Sequence, residues 1–224
     1  MKAFQVGILV PWVNTAMEEE IPYSVHPDIG VHWSRTRPEV LPKDGHDPSY
    51  LKYMLLAVPQ ALSCFDGLNL QVIVLGCTSV SFSNFCSGIM MPETYQNSRF
   101  ITTFDSIVLQ IRKLNARKIL LFAPYDKGTL DAEADMLEAN GITIVKSVPL
   151  TYKNEIRYIS TEQICETFER EYTPQCDAVL FSCTALYTKD AIIKLQKQQK
   201  IKTPLLSSNS AISNTLNDIY HKGY

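Results

Sequence analysis

The chain has 224 residues, of which 46% are apolar, and carries a formal net charge of −2 with a pI near 6.1. This length and apolar content are enough to bury a sizeable core, either as one domain or as two smaller ones. The near-neutral charge provides no basic surface for nucleic acid or for an anionic membrane, so we expect neither as a partner.

Short apolar runs alternate along the chain with segments of helical spacing, a pattern typical of βαβ units and a parallel sheet. The predicted strands are 4–10, 70–76, 118–123, 142–148, 177–182 and 204–207. The predicted helices are 48–66, 104–115, 128–140, 160–171, 187–199 and 209–222. Ser160 and Gln163 have the spacing of a capping box, and Gly141 marks a helix end.

The N-terminal apolar run is too short to span a membrane and lacks a small-residue cleavage site, so we expect a first strand and a cytoplasmic protein. The following segment, 11–47, contains five prolines, which favour a long loop and a candidate lid. This segment holds His26, His32 and His46, which we interpret as loop residues. Its acidic run, 17–20, is typical of a solvated surface.

A pattern at the ends of strands occurs twice in the sequence. An apolar run stops at Cys77 in VIVLGCTSVSF and again at Cys183 in AVLFSCTALYT, and a threonine follows each cysteine. The runs ILVPWVN and LLFAPYDK likewise place Pro11 and Pro124 after a strand. Both separations are about a hundred residues, which predicts two similar halves related by duplication.

Six cysteines show neither a C-x-x-C spacing nor a neighbouring histidine, so we expect free thiols in a reducing cytosol and no metal site. We interpret four of them as core residues: Cys64, Cys86, Cys165 and Cys176. Cys77 and Cys183 differ because they follow strands, and open parallel sheets bind ligands beyond the carboxyl ends of their strands. We therefore expect these two thiols to face one cleft from opposite sides.

The sequence resembles the branch of the aspartate/glutamate racemase superfamily that contains maleate cis-trans isomerases and arylmalonate decarboxylases. The matching motifs run along nearly the whole chain: VPWVNT, GCTSVSF, APYDK, KNEI, FSCTALYTKDAI and PLLSSNSA. The resemblance implies two pseudo-symmetric, Rossmann-like α/β lobes, each with a parallel sheet flanked by helices, and an active site in the cleft between them. It also implies a homodimer that needs no metal or organic cofactor.

We expect the first lobe to comprise residues 1–104 and 208–224, and the second lobe to comprise 105–207. The chain lacks the glycine-rich nucleotide-binding motifs G-x-G-x-x-G and G-x-x-x-x-G-K-[ST], which agrees with the absence of an organic cofactor that the resemblance implies.

The resemblance assigns catalytic roles to Cys77 and Cys183. Its substrate-binding residues fall on Asn14, Thr78, Ser79, Tyr125, Asn154, Thr184 and Ala185. By resemblance, Cys77 adds as a thiolate to the double bond of a small dicarboxylate, while Cys183 handles the proton. No histidine adjoins either cysteine in sequence, so helix N-termini are the expected means of lowering the thiol pKa.

Several functions remain open from the sequence. The favoured one is a cis-trans isomerase of the maleate-to-fumarate type. Two opposed thiols would also suit a racemase of an acidic amino acid or a related α-substituted acid, although the racemase-like DSG motif is missing after the first strand. Decarboxylases of this branch carry a glycine where Cys77 stands, yet the shared TSVSF motif keeps an arylmalonate-type decarboxylase open. A non-enzymatic binder of small carboxylates is the last alternative.

Overall fold

The computed structural model describes residues 2–39, 50–83, 89, 91–150, 155–199 and 201–223. Within these residues, eight strands form two parallel sheets of four strands each. The first sheet contains Phe4–Pro11 (β1), Ile29–Thr36 (β2), Val72–Leu75 (β3) and Arg99–Thr102 (β4). The second contains Lys118–Ala123 (β5), Thr143–Pro149 (β6), Ala178–Phe181 (β7) and Leu205–Ser207 (β8).

The two sheets have the same topology, because the strand order β2-β1-β3-β4 is repeated as β6-β5-β7-β8. In each half, the first strand (β1 or β5) lies between the second and the third strand of that half, and the fourth strand lies at the edge beside the third. The predicted α/β fold, with two similar halves and a parallel sheet in each, is confirmed.

The helices lie between the strands and cover the faces of both sheets. They are Ala16–Glu20 (α1), Tyr50–Leu56 (α2), Val58–Ser63 (α3), Thr78–Ser81 (α4), Thr103–Lys113 (α5), Lys127–Ala139 (α6), Thr161–Glu171 (α7), Lys189–Gln199 (α8) and Ser208–Lys222 (α9). The capping box predicted at Ser160 and Gln163 is confirmed at the start of α7. Gly141 follows α6 with a φ of 78°, a backbone conformation that glycine adopts without steric cost.

Two helices cross from one sheet to the other. Helix α5 follows β4 of the first sheet, yet Ile107 and Ile111 pack with Ile119 of the second sheet. Helix α9 follows β8 of the second sheet, yet Ile212 and Leu216 pack in the core of the first sheet. This exchange supports the division that we propose, with 1–104 and 208–224 as one lobe and 105–207 as the other.

The expectation of a loop over 11–47 is wrong for the part that the structure describes. Strand β2 pairs with β1 along its whole length, from Ile29 beside Phe4 to Thr36 beside Pro11. The prolines do not prevent this pairing because those at 22, 27 and 38 lie outside α1 and β2. His32 is consequently a strand residue, with Nε2 2.7 Å from the Gln5 side-chain oxygen, whereas His26 lies in a loop. His46 lies outside the described residues.

The sequence pattern also missed the five-residue helix α1, and strand β4 and helix α4, which have four residues each. The helix predicted over 48–66 is divided in the described part into α2 and α3, with Pro59 in the first turn of α3. Among the residues described, no helix has the length and apolar character needed to cross a bilayer.

Candidate active site

Each sheet places a cysteine just beyond the end of its third strand. Cys77 comes two residues after β3, and Cys183 comes two residues after β7. The carboxyl ends of parallel strands are where α/β proteins bind ligands. Both side chains are buried, with exposed fractions of 6% and 7%. The repeated pattern in the sequence therefore corresponds to equivalent positions in the two sheets.

Ser208, at the start of α9, joins the two cysteine turns. The Thr78 hydroxyl donates a hydrogen bond to Ser208 Oγ over 3.1 Å, and the backbone N–H of Cys183 donates to the same oxygen over 3.0 Å. All three groups are buried, so these hydrogen bonds are shielded from water. One serine hydroxyl thus holds the residue after Cys77 against the backbone of Cys183.

A second buried connection runs through Thr184. Its hydroxyl donates to the carbonyl oxygen of Gly76 over 3.1 Å and accepts a hydrogen bond from the side-chain amide of Asn14, also over 3.1 Å. The Asn14 side-chain oxygen in turn accepts from the backbone N–H of Met17 at 3.3 Å. Asn14, fully buried, is therefore fixed between its own helix start and the opposite half of the fold.

Burial dominates the ionisation of both thiols. It raises the pKa of Cys77, and the backbone amides of Val80 and Ser79, with the Ser79 hydroxyl 3.7 Å from the sulfur, offset only part of that rise. Burial likewise raises the pKa of Cys183 to about 12, against hydrogen bonds from the Ala185 amide and the Tyr125 hydroxyl. A negative charge on Cys77, present once it is a thiolate, would add to this rise.

The amides of Ser79 and Val80 in the first turn of α4 lower the pKa of Cys77, as expected of a helix N-terminus, but by less than burial raises it. Helix α4, which Cys77 precedes, has only four residues and a correspondingly weak dipole. At both cysteines, the loss of hydration raises the thiol pKa by more than the nearby backbone amides lower it. Both are therefore thiols near neutral pH.

Tyr125 follows β5 and is half-buried beside Cys183. Burial, together with the charges of Cys183 and Glu133, raises the pKa of Tyr125 well above its ordinary value, so it remains a phenol and donates to the Cys183 sulfur. Its ring packs against Phe82 with the centroids 6.5 Å apart. Tyr125 therefore has both an apolar anchor and a polar contact at the site.

The backbone at Cys183 adopts a conformation that is rare for a residue with a side chain, with a φ of 119°. The hydrogen bond from its N–H group to Ser208 holds it there. Ser79 and Ala185, the residues two positions after each cysteine, are half-buried. Asn154 lies outside the described residues.

Glu20 is a site neighbour that the sequence pattern misplaced, because the acidic run 17–20 was expected on a solvated surface. It is only 7% exposed. One carboxylate oxygen accepts from the backbone N–H groups of Thr188 and Lys189, at 2.6 and 2.8 Å, at the start of α8. The other accepts from the Asn209 amide at 2.8 Å and from the Thr188 hydroxyl at 3.2 Å. The burial of Glu20 could have been found from its spacing: it lies three residues after Met17, which is buried, so both side chains are on the same face of α1.

The remaining cysteines are free where the structure describes them. Cys165 and Cys176 are buried as expected, but Cys64 is exposed, because it follows the last turn of α3 on the surface; its assignment to the core is wrong. Cys86 lies outside the described residues. Across the described ranges, no three His, Cys, Asp or Glu side chains are grouped as metal ligands.

Paired cysteines at matching strand ends of a duplicated parallel α/β fold define a class of two-lobed, thiol-bearing proteins. Within that class, the chain belongs to the arylmalonate decarboxylase family, whose sequence model matches residues 62–218. Family membership confirms the branch that the motifs around Cys77 and Cys183 indicated.

Two curated proteins of similar sequence are both named maleate isomerase. The one from Alcaligenes faecalis is 25% identical over 228 residues, which cover 93% of this chain and 87% of that protein. The one from Geobacillus stearothermophilus is 26% identical over 239 residues, covering 100% of this chain and 94% of that protein.

A solved structure with the same fold is a cysteine-to-serine variant of the maleate cis-trans isomerase of Nocardia farcinica, with a covalently bound succinylcysteine intermediate. The TM-score is 0.78 at 18% sequence identity, and the match covers 95% of this chain and 91% of that chain. This similarity shows that the two proteins share the fold.

Proposed function

We propose that this protein is a cofactor-independent isomerase that converts maleate to fumarate, with Cys77 as nucleophile and Cys183 as acid and base. The observation that carries the proposal is the pair of buried thiols at equivalent strand ends, whose two turns share the Ser208 hydroxyl. The names of the two curated relatives support maleate as the substrate. The succinylcysteine in the Nocardia farcinica enzyme supports covalent addition of a cysteine to that substrate.

The chemistry has to turn a carbon–carbon double bond into a single bond, because only a single bond rotates freely. The Cys77 thiolate adds to one olefinic carbon, and the electron pair of the double bond takes the proton of Cys183 at the other carbon. The result is a succinyl adduct on Cys77 and a thiolate on Cys183. After rotation, Cys183 removes a proton from that second carbon and Cys77 leaves, which yields fumarate and restores both groups.

The ionisation of the site suits these roles. Cys183, with its pKa raised to about 12, enters the reaction as the thiol that the first step requires. Cys77 has to lose its proton before it adds, and the amides of Ser79 and Val80 stabilise the thiolate that forms. The active form is therefore a minor population of the resting enzyme near neutral pH.

We assign the two substrate carboxylates to hydrogen-bond donors of seven residues. These donors belong to Asn14, Thr78, Ser79, Tyr125, Asn154, Thr184 and Ala185. The hydroxyls of Thr78 and Thr184 are already engaged by Ser208 and Gly76, so the backbone N–H groups of the two turns are the donors that we assign there. Loss of one such donor typically lowers an enzyme's rate by about 10²–10³-fold.

A second candidate follows from the family name, the decarboxylation of an arylmalonate. That reaction needs one acid on one face of an enediolate, so it leaves one of the two thiols without a role. A racemase of an acidic amino acid would use both thiols, one on each face of the α-carbon. Both alternatives are distinguished from the isomerase by their products.

The proposal also includes the setting in which the enzyme works. We place it in the cytoplasm, as a homodimer, with a small carboxylate as its substrate and without nucleic acid, membrane or cofactor. The formal net charge of −2 supports the absence of a polyanionic partner.

Proton NMR with maleate in deuterium oxide tests the function directly. We expect fumarate to appear with the purified protein, and to stay absent with Cys77→Ser. The matched control is Cys64→Ser, which changes an exposed cysteine and should leave activity unchanged. Unchanged maleate, together with decarboxylation of an arylmalonate or exchange of the α-proton of aspartate or glutamate, would replace the isomerase with the corresponding alternative.

A further inference from the structure

Helix α6 carries a carboxyl group inside the core of the second lobe. Glu133 lies on the same helix face as Leu130 and Leu137, and none of its surface is exposed. The Ser182 hydroxyl donates a hydrogen bond to its Oε1 atom. Its Oε2 atom is buried and has no hydrogen-bond partner among the described residues.

Such a group is costly to bury. An unpaired polar atom inside a protein loses its hydration without compensation, and an apolar residue between two leucines would pack without that cost. Glu133 therefore lowers stability where an apolar side chain would not. Buried ionisable groups with this kind of cost are candidates for functional roles.

Glu133 is connected to the catalytic thiol of Cys183 through one intervening residue. Ser182, which contacts it, is the residue before Cys183 and is itself fully buried. The negative charge of Glu133 acts on Cys183 and on Tyr125 and raises the pKa of both groups. Burial raises the pKa of Glu133 to about 7, and the hydrogen bond from Ser182 opposes that rise.

The ionisable groups around α6 fall into two sets, those that face Glu133 and those that have other partners. Those that face Glu133 are Tyr125, after β5, and Cys183, after β7. The charged side chains on the helices and strand packed nearby have their own partners: Arg112 with Asn140, Lys113 with Asp218, and Lys146 with Glu171. On α6 itself, Lys127 pairs with Asp131 on the exposed face.

We propose that Glu133 is a positioning residue for Cys183: held by Ser182, the residue next to the thiol, its buried carboxylate adds a negative charge to the burial that already keeps Cys183 protonated, so that Cys183 remains the acid of the reaction as the pH rises above neutrality. The inference rests on the proposed function, because it gives Cys183 the role of proton donor. Glu133 does not touch the substrate; it acts through Ser182 and through its charge.

Below pH 7, Glu133 is neutral and leaves Cys183 unaffected; above pH 7, its charge makes the thiol harder to ionise. Glutamine at this position keeps the acceptor for Ser182 but carries no charge. A Glu133→Gln variant should therefore alkylate at Cys183 as fast as the parent at pH 5.5, and about threefold faster at pH 8.5, because alkylation follows the thiolate fraction.

The experiment measures the rate of iodoacetamide labelling of Cys183 against pH by peptide mass spectrometry. A Cys77→Ser background removes the second thiol of the site. The matched control is Glu138→Gln, the same change at an exposed position of α6, which should leave the rate unchanged at every pH. Because labelling needs no maleate, failure of this proposal is distinguishable from failure of the proposed function, which the fumarate assay measures separately.

Two further readouts keep the test decisive. In the Cys77→Ser background alone, the logarithm of the labelling rate should rise with pH and show an offset near pH 7. Ser182→Ala removes the opposing hydrogen bond and should move that offset to higher pH. A ratio of Glu133→Gln to parent that does not change with pH, or a parent profile without an offset, overturns the proposal. If Glu133→Gln does not fold, the parent and Ser182→Ala profiles decide it.

Discussion

Thr184 donates a hydrogen bond to the carbonyl oxygen of Gly76, 3.1 Å away and 108 residues earlier in the chain. Each of these residues adjoins one of the two cysteines, so the bond ties the turn at Cys183 to the turn at Cys77. The bond is buried, and the same hydroxyl accepts from Asn14. The separation of the two thiols therefore depends on a side chain that does no chemistry.

Replacing that hydroxyl tests its role. Thr184→Val keeps the shape and leaves Gly76 O and the Asn14 amide without this partner, so we expect the free energy of unfolding to fall by about 1–3 kcal/mol. Turnover of maleate should fall as well, because the thiols lose their fixed separation. Urea denaturation and the fumarate assay measure the two effects. Thr143→Val, at an exposed position of β6, is the control, and equal behaviour of the two variants would contradict the account.

The buried carboxylate of Glu20 gives a prediction about the joint between the lobes. Its four accepted hydrogen bonds anchor the start of α8 and Asn209. Glu20→Gln presents an amide N–H₂ to some of these donors, so we expect a loss of about 2–4 kcal/mol in unfolding free energy. Thermal and urea unfolding provide the measurement, with the exposed Glu138→Gln as control. A loss below about 0.5 kcal/mol, typical of surface changes, would rule the anchoring role out.

The pH dependence of kcat/KM follows from the thiol of Cys77. Burial raises its pKa above 9.0, so the thiolate is a small fraction near neutral pH and grows with pH. Because kcat/KM reports ionisations of the free enzyme, it should rise about tenfold between pH 7 and pH 8. Circular dichroism across the same range checks that the fold is retained. A flat or falling profile would mean that Cys77 is already ionised, or that it is not the nucleophile.

Tyr125 gives a prediction with two readouts. Its hydroxyl lowers the pKa of Cys183, so Tyr125→Phe should raise that pKa further and slow alkylation of Cys183 at a fixed pH. We also expect kcat to fall by about 10²-fold, since a donor at the site is lost. The ring contact with Phe82 is retained in this variant. Tyr158→Phe, at an exposed tyrosine, should have the same kcat and alkylation rate as the unmodified enzyme. If Tyr125→Phe also had the same values, Tyr125 would have no role at the site.

The sequence predicted the parts of the fold that depend on local patterns. Buried parallel strands such as β1 and β5 are continuous apolar runs, so they are visible in the sequence. Strand β2 was not visible in the sequence, because IGVHWSRT mixes polar and apolar residues, as an edge strand can, and because prolines lie on both sides of it. Strand β4 and helix α4 are too short for a periodic signal.

From patterns in the residues, the site was predictable only where its chemistry repeats; Asn14 and Tyr125 were predicted from the family resemblance. Two Cys-Thr pairs at strand ends pointed to Cys77 and Cys183, whereas no pattern assigned a role to Ser208, which stands just before the predicted helix 209–222. Its role depends on where α9 packs, which no local pattern encodes. Glu20 and Glu133 were missed for the same reason: an acid on the core face of a helix shows its burial only when the helix has a partner.

The central claim is that Cys77 adds to the substrate while Cys183 handles the proton. The measurement that tests it most directly is mass spectrometry of Cys183→Ser after incubation with maleate, followed by peptide mapping. The account predicts an added mass equal to one maleic acid on Cys77, because solvent water can supply the proton that completes the adduct, whereas the variant lacks the thiolate that removes it again. Adduct on another cysteine, or an unmodified Cys77 in a variant that still forms fumarate, would contradict it.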